Sequence, residues 1–537
     1  MHKILVADKI AEAGLERLRA ATDIKFDVRP GLSPEELGEI IGDYDGVLIR
    51  SAVKITREAL ARPGRLAAIA RAGVGVDNVD LDAATEAGVL VLNTPDANTV
   101  STAEHTVALM LALHHRIVEA DNHVRGGGWN RSAYEGAQLA GRTLGIIGFG
   151  RIGRAVAQRA LALEMKVIAF DPFVKGDSPL DGSMTMIGNL DELLSTADCM
   201  TLHATLSSET THLIGAAQIA KMKPGATLIN CARGALIDER ALAEALNSGR
   251  IAGAAVDVYE NEPPKGSPLL TAKNIVLTPH LAASTAEAQL RVSLDAVETL
   301  LAYLRHGEVR SAVNVTGMPG RLSPHARAVF DLCSRMGTIL STWSAEGVDR
   351  IRVTVRGDSL RELAGTLSWQ AMVAVLSPRL DTRLNLVNAR EQAQRRGIVV
   401  ENVAQSVQQN QPETMSITLF VRGQAHEVEG TVLGDGRPRI LAFDGYRMEL
   451  IPERTIVLIV NDDRPGVIGL VGQAFGGAGI NIADMALSRR GKTALMVLKL
   501  DAPMPDALRD SLRSMNPPIL SLRAVSLPPV AEGTIPT

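Results

Sequence analysis

The chain has 537 residues, room for roughly three to four domains, so a single catalytic unit does not fill it. Hydrophobic residues at 46 % and charged residues at 22 % are ordinary for a folded globular protein, and aromatics at 3 % leave its cores to aliphatic side chains and alanine. The formal net charge of −4, the scattered Lys and Arg, and three distant cysteines (Cys199, Cys231, Cys333) argue against nucleic-acid binding, a disulfide framework and a metal site.

The opening Met-His-Lys-Ile-Leu-Val-Ala carries an apolar run that ends at Asp8. That run is too short for a signal-peptide core or a membrane span, and it predicts the first strand of a cytoplasmic protein with no membrane partner. Further strands are predicted at Gly46–Ile49, Leu66–Ala70 and Val89–Leu92, after a first at Lys3–Ala7. Helix-forming sequence between most of them makes a small doubly wound α/β unit. A single long helix is expected from Ser101, its N-cap with Glu104 three residues on, to about Arg125 before Gly126-Gly127-Gly128.

A second set of strands is predicted at Thr143–Ile147, Lys166–Phe170, Cys199–Leu202, Thr227–Asn230, Gly253–Val256 and Ile275–Thr278. Six is the number of a dinucleotide-binding Rossmann sheet. Gly148-Phe149-Gly150-Arg151-Ile152-Gly153 follows the first of these strands and opens a helix. Its glycines permit a tight turn and close approach to a pyrophosphate, which the helix N-terminus attracts. Glycine-rich turns also occur for packing, so the motif alone is weak. Asp171, at the end of the next strand, strengthens it: a carboxylate there takes ribose hydroxyls and repels the extra phosphate of NADP, which points to NAD.

Three polar groups lie at or beyond later strand ends: Arg233 in Asn-Cys-Ala-Arg-Gly, Glu262 in Glu-Asn-Glu-Pro-Pro, and His280 in Thr-Pro-His. Each alone reads as a surface charge, a turn residue or a core histidine. Together they are what oxidation of a 2-hydroxy acid requires: a fork for the carboxylate, a base for the hydroxyl proton, and an acid that orients the base.

Beyond this, Thr316–Arg321 reads as a linker rich in Gly, Pro and Met. From Arg454 an apolar strand, the turn Asp463-Arg464-Pro465-Gly466, a helix and Ile480-Asn481-Ile482 open a small C-terminal α/β domain.

Arg71-Ala72-Gly73-Val74-Gly75-Val76-Asp77-Asn78-Val79-Asp80, the Gly-Phe-Gly-Arg-Ile-Gly turn, Asn-Cys-Ala-Arg-Gly, Glu-Asn-Glu-Pro-Pro and Thr-Pro-His-Leu resemble the D-isomer-specific 2-hydroxyacid dehydrogenases over about residues 1–315. Arg50-Ser51-Ala52-Val53-Lys54, Asn93-Thr94-Pro95 to Asn98, Ser284 to Gln289 and the long C-terminal extension are similar to the branch that oxidises 3-phosphoglycerate. The resemblance implies a Rossmann nucleotide domain, 98–281, inserted in a flavodoxin-like substrate domain, 1–97 with 282–315. It further implies an α+β intervening domain, 318–452, and a C-terminal ACT domain of ferredoxin-like βαββαβ form, 454–530.

The resemblance also implies roles. Arg233 binds the substrate carboxylate, His280 takes the hydroxyl proton, and Glu262 pairs with His280. Gly148, Gly150, Arg151, Ile152, Gly153, Asp171, Ala204, Cys231, Ala232, Asp257, Ala282 and Ala283 contact NAD. Arg50, Arg71, Gly73, Val74 and Asn98 meet the substrate; Lys54 is a further candidate, and Arg131 reaches in from a neighbouring subunit. Asp463 and Asn481 bind an effector, L-serine by implication, in a homotetramer. Thr205 stands where the family has proline, which puts the local cofactor geometry in question. The same residues also suit reduction of hydroxypyruvate, glyoxylate or 2-oxoglutarate, and related folds serve as non-catalytic NAD sensors.

Overall fold

A computed structural model describes residues 1–174, 182–315, 320, 322–380, 382–407, 411–516 and 518–530. The first sheet contains β1 (His2–Val6), β2 (Ile24–Val28), β3 (Gly46–Ile49), β4 (Ala68–Arg71) and β5 (Leu90–Leu92). All are parallel, in the order β2-β1-β3-β4-β5. The central strand β3 and the edge strand β5 are both buried throughout, as continuous apolar runs allow. The sequence predicts four strands here and the structure has five. The added edge strand β2 alternates Lys25 and Asp27 with apolar residues, so its apolar run is broken.

The order reverses between β1 and β3, which opens a crevice at their carboxyl ends. Asp8 beyond β1 accepts the backbone N–H groups of Arg50 and Ala52 beyond β3, and so shapes that crevice. Helix Ala286–His306 returns from the far part of the chain to cover this sheet, burying Val292, Ala296, Val297 and Leu300 against Ile4, Leu48 and Ala70. Thr285 caps it by accepting the Ala288 N–H, and Gly307 ends it at φ 63°.

The second sheet holds β6 (Thr143–Ile147), β7 (Lys166–Phe170), β8 (Thr185–Met186), β9 (Cys199–Leu202), β10 (Thr227–Asn230), β11 (Gly253–Val256) and β12 (Ile275–Leu277). The order is β12-β11-β10-β9-β6-β7-β8, all parallel, with its reversal between β6 and β9. It has seven strands where six are predicted; β8 is a two-residue edge strand, too short to show an apolar run.

The single helix predicted from Ser101 to Arg125 is two, Thr99–His114 and Ile117–Arg125, broken at Arg116, which is left-handed at φ 53°. The first begins after Asn98, not at Ser101, and Asn98 makes no side-chain cap bond. Ser101 instead donates to the Ala282 carbonyl at 2.7 Å, which ties this helix to the loop after β12. Ala103, Leu109 and Met110 of the helix join Leu144 and Ile146 in the core of the second sheet.

A third sheet contains β13 (Arg350–Arg356), β14 (Val399–Gln405), β15 (Thr414–Val421), β16 (Gln424–Val432), β17 (Pro438–Phe443) and β18 (Tyr446–Leu450), ordered β14-β13-β15-β16-β17-β18. Only β13 and β14 pair in parallel. Helices Pro324–Leu340 and Ala364–Leu376 cover it, in close contact where Gly337 faces Ala374. Of the predicted linker 316–321, only Gly320 lies among the described residues.

A fourth, antiparallel sheet contains β19 (Arg454–Asp462), β20 (Ile482–Arg490), β21 (Thr493–Leu500) and β22 (Ile519–Leu527), ordered β20-β21-β19-β22. With helices Val467–Gly477 and Asp506–Arg513 it makes a βαββαβ unit. Arg335, 4 % exposed, donates to the carbonyls of Pro452, Pro528 and Pro529 and so fastens this unit to the third. No described helix is long and apolar enough to cross a membrane.

Candidate active site

The glycine turn after β6 separates three different demands. Gly148 has φ +94°, and a Cβ there would come within 2.6 Å of the backbone of His203 and Ala204 after β9. A side chain on Gly153 would meet the Gly148 carbonyl at 2.3 Å, so this glycine lets helix Arg151–Ala162 close onto the turn. At Gly150 a Cβ would meet nothing within 4 Å. That open backbone, at the start of a twelve-residue helix, is a cradle for a pyrophosphate. Asp171 follows β7 and accepts the Phe149 N–H at 2.8 Å and the Phe173 N–H at 2.9 Å, so it also holds the turn. The residues present fit a dinucleotide.

Arg151 pairs with Asp96 across the sheets, and Ile152 is half-buried against the core beneath the turn. Cys231 is buried, which pushes its thiol up to about 12, and Ala232 is half-buried against the core of the second sheet. Thr205 accepts the Thr210 hydroxyl through its carbonyl, while Leu206 lines the cleft. Burial depresses the His203 imidazole to about 3, so it stays neutral.

The cleft between the first two sheets has a volume of about 640 Å³. Arg50, Lys54, Arg71, Gly73, Val74 and Asn98 line one side, and Arg233, Glu262, His280 and Ala283 the other. Arg131 lies on the short turn Arg131–Tyr134 and is not part of the lining. Arg71 reaches in from the end of β4 with its Nε unbonded. Burial, and secondly the charge of Arg233, depress its guanidinium to about 10, which leaves it cationic at neutral pH. The Asn98 Oδ1 is likewise buried without a partner. The unpaired Arg71 donor suits an anionic ligand, and the Asn98 oxygen, an acceptor, suits a ligand hydroxyl.

His280 follows β12 in the left-handed region, φ 55°, and its Nδ1 lies 2.8 Å from Glu262 Oε2. A carboxylate can only accept, so Nδ1 carries the proton and Nε2 is the free base. Burial pushes the Glu262 carboxyl up, but the bond to His280 and its charge outweigh this, and the net shift is downward. Behind them Asp257, fully buried, accepts from Thr278 Oγ1 at 2.6 Å, from the Leu281 N–H at 2.7 Å and from the Ala282 N–H at 2.9 Å. His105 Nε2 stands 3.2 Å from the same carboxylate. Sequence reasoning names Asp257 but misses His105, which a helical register four residues from Ser101 places on the face toward β12.

Arg233, beyond β10, donates from Nε to Asp77 Oδ2 at 3.0 Å and from Nη1 to the Ala232 carbonyl at 2.7 Å. In the fourth unit, Asp463 pairs with Arg489, and the Asn481 amide donates to Asp501 at 2.6 Å. Both are therefore engaged within the chain. Among the described residues, no three His, Cys, Asp or Glu side chains are grouped to hold a metal ion.

Three family models match the chain. They are the D-isomer specific 2-hydroxyacid dehydrogenase NAD-binding domain at 107–282, the D-3-phosphoglycerate dehydrogenase intervening domain at 325–444, and the ACT domain at 455–516. A D-3-phosphoglycerate dehydrogenase of Methanocaldococcus jannaschii is 38 % identical over 98 % of this chain and 100 % of its own. That of Bacillus subtilis is 36 % identical over 98 % of this chain and 100 % of its own. Among solved structures, a glyoxylate reductase from Paecilomyes thermophila superposes with a TM-score of 0.54 at 34 % identity, covering 58 % of this chain and 97 % of that one. The Aquifex aeolicus D-lactate dehydrogenase, complexed with NAD and lactic acid, gives 0.51 at 30 %, covering 56 % and 95 %.

Proposed function

The chain belongs to the D-isomer-specific 2-hydroxyacid dehydrogenases, in the D-3-phosphoglycerate dehydrogenase family with intervening and ACT domains, and on that premise we propose how its cleft works. It is an NAD-dependent enzyme that oxidises 3-phospho-D-glycerate to 3-phosphohydroxypyruvate, the first step of L-serine biosynthesis. The observation that carries the mechanism is the His280–Glu262 pair on the same side of the cleft as Arg233, facing Arg71 on the other.

Arg233 holds the substrate carboxylate through its free Nη hydrogens, which fixes C2 beside His280. His280 Nε2 takes the C2 hydroxyl proton, and Glu262 holds the ring in the required tautomer and balances the imidazolium. NAD, when bound, supplies the acceptor for the C2 hydride. Gly148, Gly150, Arg151, Ile152 and Gly153 hold its pyrophosphate, Asp171 the ribose, and Ala204, Cys231, Ala232, Asp257, Ala282 and Ala283 line the remainder. Arg50 and Arg71, with Gly73, Val74 and Asn98, receive the phosphorylated end, and Arg131 acts from a neighbouring subunit. The domain limits of this reading are 1–97 with 282–315, 98–281, 318–452 and 454–530.

The ACT domain implies an effector. Our reading is L-serine at Asp463 and Asn481, which exchange Arg489 and Asp501 for its amino and carboxylate groups, in a cytoplasmic homotetramer. NADH absorbance with 3-phosphoglycerate, with and without L-serine, tests both parts. Activity suppressed by serine is the expected result. Activity confined to unphosphorylated 2-hydroxy acids would overturn the substrate, and indifference to serine the effector.

Asp171→Ala removes both the ribose acceptor and the bond to Phe149. NADH affinity, read by fluorescence titration, is expected to fall about tenfold, the worth of one charge-assisted bond. Unchanged affinity would remove Asp171 from the cofactor site.

A further inference from the structure

The segment Arg71 to Asp77 is a cradle for two guanidinium groups. At Gly73, φ +154°, a Cβ would come within 2.0 Å of Arg71 Nη1; at Gly75 it would come within 1.6 Å of Arg233 Nη2. Each glycine therefore makes room for one arginine to lie against the loop backbone. Gly75 adds a second requirement, because its Cβ would also stand 2.7 Å from Asp77 Oδ2.

Asp77 belongs to the loop after β4 of the first sheet, and Arg233 to the loop after β10 of the second. Their 3.0 Å bond joins residues 156 apart in sequence across the cleft. The Asp77 side chain is 62 % exposed, and an ion pair this open contributes little to stability. Its effect is directional. Asp77 occupies Nε and the Ala232 carbonyl one hydrogen of Nη1, so the end of the guanidinium with Nη2 and the other Nη1 hydrogen is left for a ligand. Arg71 and Arg233 also repel one another, and a carboxylate beside them holds the pair together.

We propose that Asp77 is a positioning residue for substrate binding, a carboxylate of the first sheet that turns the Arg233 fork of the second sheet toward the substrate carboxylate. Because the bond spans the cleft, it ties the aim of the fork to the spacing of the two sheets. This rests on the reading of Arg233 as the carboxylate anchor, and the test separates the two.

Steady-state kinetics on the full chain would compare Asp77→Ala, Asp77→Asn, Arg233→Ala and the Asp77→Ala/Arg233→Ala double variant. Asp77→Ala is expected to raise KM for 3-phosphoglycerate about tenfold, with KM for NAD within about twofold of the parent. Asp77→Asn, whose amide oxygen still accepts from Nε, should return KM to within about threefold. In the Arg233→Ala background, Asp77→Ala should add nothing. If Arg233→Ala is impaired while Asp77→Ala leaves KM unchanged or lowers it, or if the two losses multiply, Asp77 does not act through Arg233. If Arg233→Ala keeps the parent KM, the anchor itself is wrong.

Discussion

His280→Ala lowers turnover by at least about a hundredfold while NADH binding stays near the parent value. The loss follows from the tautomer: Glu262 fixes the proton on Nδ1, so Nε2 is the atom that receives the hydroxyl proton, and alanine offers no substitute. The cofactor pocket survives because the loop is held by backbone. The His280 N–H donates to the Asp257 carbonyl, and the Leu281 and Ala282 N–H groups donate to the Asp257 carboxylate. Residue 280 has φ 55°, where alanine carries a strain of about 1–2 kcal/mol, so His280→Asn is the proper companion: asparagine tolerates this region but supplies no base. Equal loss in both variants, with equal NADH titrations, assigns the effect to proton transfer. Loss in the alanine variant alone would assign it to strain, and unchanged turnover in a folded variant would remove His280 from the chemistry.

Arg233, Glu262 and His280 are legible in the sequence because each follows a strand, and parallel α/β sheets gather strand ends at one edge. The glycine turn and Asp171 are legible for the same reason. Central strands announce themselves as unbroken apolar runs; β2 and β8 do not, being an alternating edge strand and a two-residue one. The break at Arg116 has no proline or glycine to mark it. Asp77 is a single exposed acid in a glycine-rich loop, and its value depends on which residue of another sheet it meets, which no local pattern encodes. Asn481 shows the same limit in the ACT domain: its type suggests a carboxylate partner, but only the fold shows that Asp501 already fills that place.

Asp257→Ala is expected to damage fold and catalysis together. The Asp257 carboxylate is fully buried and accepts from Thr278 Oγ1 and from the Leu281 and Ala282 N–H groups, with His105 Nε2 3.2 Å away. Burial alone raises its pKa; the bonds from His105, Thr278, Leu281 and Ala282 together outweigh burial, so the net shift is downward. Alanine leaves these donors facing apolar surroundings, a loss of about 3–5 kcal/mol. The same bonds position the residue before them in the chain, so turnover falls with stability even in the fraction that stays folded. The pH dependence distinguishes this from cavity formation. A carboxyl whose folded pKa lies below its unfolded value contributes stability above about pH 4 and loses it as pH falls toward the folded value. Denaturation of parent and variant should therefore differ most near neutrality and converge as pH falls below about 4. A gap that persists unchanged in acid would mean that lost packing, not the lost anion, destabilises the variant.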